Sequence, residues 1–130
     1  MRKISLAKDF SRIPGARFPK EGDYSGEEFR CQFLAPALKF AIENDDSVTV
    51  ELDGTAGIGT SFLEEAFGGL IRIDKFSLDQ ITKRLIIISN EVPDYLDEIK
   101  EYLNEASEKE CDYHYYCRSC RHYSRVSIRF

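Results

Sequence analysis

Residues 48–72, VTVELDGTAGIGTSFLEEAFGGLIR, decide the fold: a β-branched run, a glycine-rich loop and an amphipathic segment follow one another without a gap. VTVEL, residues 48–52, reads as a short buried strand. GTAGIGTS then turns the chain, and Phe62, Leu63, Ala66, Phe67, Leu70 and Ile73 recur at helical spacing, which predicts a helix laid on a sheet. Outward from this unit, LIIIS at residues 85–89 repeats the strand signal, with a shorter helix, SLDQITKR, before it. Upstream, residues 4–6 read as a first strand and residues 16–18 admit another. Ser25 with Glu28 forms a capping-box pattern that opens a helix over residues 26–43, bent or restarted before Pro36. Downstream, YLDEIKEYLNEA sets Tyr95, Ile99, Tyr102, Leu103 and Ala106 on one face of a long helix starting near Pro93. Strands alternating with helices predict a single α/β domain, with helices packed on a mixed, partly parallel sheet.

A chain of 130 residues, 42% of them hydrophobic, is enough for one core. The domain is expected over residues 1–110, followed by an extension at 111–130 rich in Cys, His, Tyr and Arg. Apolar runs are short and MRKISLAKDF has no signal-peptide character, so a soluble, cytoplasmic protein without a membrane partner is expected. Of the net charge of −5, residues 111–130 contribute four Arg against one Asp, or +3, leaving −8 on the body. That sign argues against a nucleic-acid-binding body. Cys31 stands alone in a helical pattern and reads as a small core residue, while Cys111, Cys117 and Cys120 crowd the tail. This is no secreted disulfide framework, and it suits a reducing compartment.

The loop resembles a phosphate-binding P-loop in letters and in context. Gly54 and Gly59 have the four-residue gap of GxxxxGK[ST], and Ser61 holds the last position. Thr60, however, stands where the phosphate-binding lysine belongs, and Glu64 and Glu65 would repel an anion at the helix start. The favoured reading is a turn into a helix capped by Ser61 with Glu64, and a nucleotide-binding protein is the alternative. At 100° per residue, Glu64, Glu65, Gly68, Gly69 and Arg72 fall opposite the apolar arc. Each glycine inside a helix costs about 0.8–1 kcal/mol relative to alanine. The strip is therefore expected to admit close approach, by a protein partner, by a second copy in a homodimer, or by a neighbouring loop of the same chain.

The motifs DFSR, PGARF, YSGEEFR, LAPAL and SFLEEAFGGL, in this order between Ile4 and Ala106, resemble the small bacterial STAS-like domains of unknown function. The resemblance implies helices packed on a mixed sheet and a distant likeness to anti-sigma-factor antagonists. Those regulators have no catalytic role and bind a histidine-kinase-like ATPase through the loop and helix after a central strand. It thus implies a signalling module that meets such an ATPase through residues 57–72, with Gly59, Thr60, Ser61, Glu64, Glu65, Gly68, Gly69 and Arg72 at the contact. Antagonists carry a phosphorylated serine in a pattern like SFxDSSGLG. Here Ser61, Phe62 and Leu63 match and Glu64 stands for the acid, but Glu65 and Ala66 replace the two serines, which leaves a switch that is locked, lost, or moved to Thr60 or to Ser61, the candidate phospho-acceptor.

Two further groups carry chemistry. Arg12, Arg17 and Arg30, near Tyr24, Ser25 and Glu27, are able to receive an anion at a helix start, or to form ion pairs that fix a long loop. In the tail, Cys111, His114, Cys117 and Cys120, with His122 beyond, supply enough soft ligands for a tetrahedral zinc ion. The interleaved Arg and Tyr admit a zinc-dependent nucleic-acid binder, and Val126, Ile128 and Phe130 admit a closing strand. No histidine occurs in residues 1–110, and nothing there assembles a nucleophile with a base, so an enzyme is not expected.

Overall fold

The computed structural model describes residues 2–113, with side chains through residue 108. Three strands, β1 (Arg2–Ser5), β2 (Val48–Glu51) and β3 (Leu85–Ile88), pair in the order β1-β2-β3. Both pairings are parallel, with Ile4 opposite Val50 and Val50 opposite Ile87. Among the described residues the sheet is thus parallel throughout rather than mixed, because each strand returns by a helical crossover and not by a hairpin. Ile4, Val48, Val50, Leu85 and Ile87 share one face and all are buried. Strands that step in one direction by right-handed crossovers place their helices on a single face, and the core lies between the two layers.

In the first crossover, α1 (Gly26–Phe29), a π-helical stretch (Arg30–Leu34) and α2 (Ala35–Glu43) run on without a break. The capping box is formed: Ser25 Oγ accepts from the Glu28 N–H, and the Glu28 carboxylate accepts from the Ser25 N–H. The bend expected before Pro36 is the π stretch, whose wider turn accommodates a residue with no N–H to donate. Residues 16–18 form no strand. Instead the carbonyls of Ala16 and Arg17 accept from the N–H groups of Gly26 and Glu27, two of the donors a helix start leaves unpaired. Cys31 is exposed and does not join the core.

The second crossover contains α3 (Thr60–Leu63), a π stretch (Glu64–Gly68), α4 (Gly69–Arg72) and α5 (Leu78–Arg84). Helix α5 opens with a second capping box, Ser77 with Gln80. After β3, α6 (Asp94–Tyr113) buries Ile99, Leu103 and Ala106 and packs on the Glu64–Gly68 stretch and α4. Phe10, which ends a π turn directly after β1, joins Phe29, Phe33 and Phe62 in an aromatic cluster. Of the zinc ligands expected in the tail, Cys111 falls in the last turns of α6, beyond the described side chains, while His114, Cys117, Cys120 and the closing strand lie outside the described residues.

Candidate functional site

The loop between β2 and α3 leaves the carboxyl end of the central strand. Leu52 extends the ladder by donating to the Ile88 carbonyl, and Ile58 tucks into the core. Between these anchors, Gly54 and Gly57 adopt φ of 93° and 151°, values that favour glycine, and a side chain at Gly57 would project into open space. Ala56, Gly57, Gly59, Thr60 and Ser61 are exposed.

Hydrogen bonds from two sides hold this exposed loop. Asp53 Oδ1 accepts from the N–H groups of Asn90 and Glu91 at 2.8 and 2.9 Å, and Oδ2 from Asn90 Nδ2 at 3.2 Å. Glu91 answers by accepting from the Gly54 N–H at 2.7 Å. The Tyr95 hydroxyl, in the first turn of α6, accepts from the Ile58 N–H at 2.9 Å, and the Arg12 carbonyl accepts from Ala56. Beside Arg12 stands Ile13, 72% exposed, which with Gly54, Thr55 and Ala56 lines a shallow concavity.

Past the first turn the charges are committed internally. Arg30 and Glu65, each with a side chain 1% exposed, pair at 3.0 Å, and Arg30 also meets Asp74 at 2.7 Å. Arg72 bridges Glu65 and Glu64, and Arg17 reaches Glu64 from the front loop. Burial pushes the Glu64 carboxyl up, but the hydrogen bond and charge of Arg72, helped by Arg17, outweigh it and hold the group below the usual glutamate range. Burial also works against the Arg30 charge, yet its bond to Asp74, with the nearby negative charge, leaves the guanidinium more firmly protonated than usual.

The expected exposed glycine strip is therefore corrected. Gly68, Gly69 and Glu65 are buried, and the Arg30 side chain crosses Gly69 with Nε 2.6 Å from where a Cβ would stand. The wheel drawn at 100° per residue records only the helix's own sequence and misses that Arg30 fills the face over Glu65 and Gly69 while α1 and α6 pack on the Glu64–Gly68 stretch. Ile73, assigned to the sheet side, is 51% exposed just past the end of α4. The Ser61–Glu64 cap is also absent: Gly59 is the N-cap without a side-chain bond, and Glu64 is held by Arg72 and Arg17. Arg12, Arg17 and Arg30 form no common anion site, since Arg17 and Arg30 enter the carboxylate network and Arg12 lies beside the loop. Gly59, Thr60 and Ser61, which the resemblance puts at the contact, are adjacent and exposed. Asp53, Glu91 and Ile13 carry no sequence pattern beyond an Asp-Gly turn at the end of a strand, and Tyr95 reads from sequence only as part of the apolar face of the long helix. Among the described residues no group of three His, Cys, Asp or Glu is gathered to hold a metal, and no helix is long and apolar enough to cross a membrane.

A parallel three-stranded sheet with helical crossovers, carrying a glycine loop and helix after its central strand, defines a small α/β domain. The family model for the STAS-like domain of unknown function (DUF4325) matches residues 25–95, and the chain belongs to that family. No curated protein and no solved structure matches the chain.

Proposed function

We propose that the protein is a non-catalytic interaction module that docks a regulatory partner through residues 54–61, flanked by Arg12 and Ile13. One observation carries the reading: the loop is exposed and built of small residues, yet it is tied to the framework and adjoins a large apolar side chain in solvent. Small residues let a partner approach the backbone closely, and a loop already held in shape loses little entropy on binding. The resemblance to anti-sigma-factor antagonists makes a histidine-kinase-like ATPase the partner class. Within the residues assigned to that contact, Gly59, Thr60 and Ser61 meet the partner, while Glu64, Glu65, Gly68, Gly69 and Arg72 support the helix behind them. Ser61 and Thr60 are the hydroxyls open to such a kinase, in a first turn whose dipole favours added negative charge.

Gly59→Arg tests this reading. A Cβ at Gly59 meets nothing within 4 Å and φ is −73°, so the fold accepts the side chain while the docking surface does not. In pull-downs from the source cells, the native bait captures an ATPase that Gly59→Arg does not capture. Equal capture by both folded baits defeats the reading.

A further inference from the structure

The loop that we propose docks the partner has little apolar anchoring of its own, since only Leu52 and Ile58 at its ends enter the core. Two glycines in backbone regions that other residues rarely adopt would give it wide freedom. What holds it is polar and comes from elsewhere in the chain. Gly54, Ala56 and Ile58, alternate residues, each donate an N–H to a distant acceptor: the Glu91 carboxylate, the Arg12 carbonyl and the Tyr95 hydroxyl. One of these acceptors, Glu91, belongs to the connection from β3 into α6, and another, Tyr95, to the first turn of α6 that follows it. That connection is itself fastened by Asp53, which takes the consecutive N–H groups of Asn90 and Glu91. The tie is reciprocal: Asp53 orders the segment that carries Glu91, and Glu91 orders the residue after Asp53.

We infer that Asp53, Glu91 and Tyr95 are positioning residues for the docking loop, and that the β3–α6 connection sets the shape the loop presents. The inference rests on the docking reading. Tyr95 belongs to the first turn of α6 and Glu91 to the connection before it, so the loop and the start of α6 act as one unit.

Hydrogen exchange on the full chain reads the ties directly. Tyr95→Phe deletes only the oxygen that accepts from Ile58, and the Ile58 amide is expected to exchange about fivefold faster or more, the scale of one lost hydrogen bond. Asp53→Ala should speed Asn90, Glu91 and Gly54 similarly. Amides of the β2 and β3 strands, Val50 and Ile87 among them, keep their rates. Glu91→Gln retains an acceptor and preserves Gly54 protection, whereas Glu91→Ala loses it. Unchanged loop amides, or equal acceleration throughout the sheet, overturns the inference.

Its functional half is read with a photo-crosslinking side chain in place of the exposed Ile13 at the flank of the docking surface, in the chain expressed in its source cells. The chain with all three ties captures a partner peptide, and the same chain with Tyr95→Phe captures several-fold less of it. Equal capture overturns the positioning role and leaves the docking reading standing. No adduct from the chain with intact ties overturns the docking reading itself, and the positioning role with it, whatever the exchange rates.

Discussion

Arg30 accounts for both the glycine and the carboxylate beside it. A guanidinium buried to this depth needs opposite charge, which Glu65 and Asp74 supply, and room for its stem, which Gly69 supplies by having no side chain. Its Nε finds no partner, the one buried side-chain polar atom so placed among the described residues. Gly69→Ala should therefore destabilise by about 1–2 kcal/mol despite alanine's better helix propensity, because the methyl displaces a packed ion pair. Gly68→Ala should be near neutral, since its Cβ meets only the mobile ends of Glu64 and Arg72. Urea unfolding of the two variants checks the contrast. Glu64 adds a dependence on pH. Its carboxyl is held low in the folded state, so its contribution is complete above the ordinary glutamate range and is lost as pH falls through the lowered value. A melting-temperature profile against pH should accordingly fall less steeply in acid for Glu64→Gln than for the native chain.

At the scale of elements, local chemistry and tertiary demand part company within single helices. The start of α1 was legible, because Ser25 and Glu28 satisfy each other whatever packs above them. With Ser25 fully buried, Ser25→Ala should cost about 1–2 kcal/mol, visible as a lower urea midpoint at unchanged slope. The start of α3 was misread for the opposite reason: Glu64 had distant arginines to choose from, and no local pattern records Arg17. The helical wheel misleads in the same way. It reads one element alone, and Glu65, Gly68 and Gly69 are buried because Arg30 and helices from elsewhere in the chain pack around them. Strand positions were read within a residue or two, since β-branched runs bounded by turn residues have few alternatives.

At the scale of the whole molecule, a single cluster of buried side chains runs from Ile4 in β1 to Ala106 in α6, which predicts that the described domain unfolds as one unit. Ile99→Ala, remote from the loop, should destabilise the entire domain by about 3 kcal/mol, with far-ultraviolet circular dichroism and tyrosine fluorescence reporting one coincident transition. Separate transitions would mean that α6 is not integral to the fold. Taken alone, the sequence determined the alternation of strands and helices, the capping box at Ser25, the glycine turn after the central strand, and the family resemblance. All of these rest on neighbours along the chain, where turn residues and hydrophobic period carry the information. Tertiary structure alone decided that the three described strands are parallel, that Arg30 fills the space over Gly69, and that Asp53, Glu91 and Tyr95 hold the loop. Those outcomes depend on groups about 35 to 46 positions apart, whose attraction exists only once the core has brought them within hydrogen-bond reach.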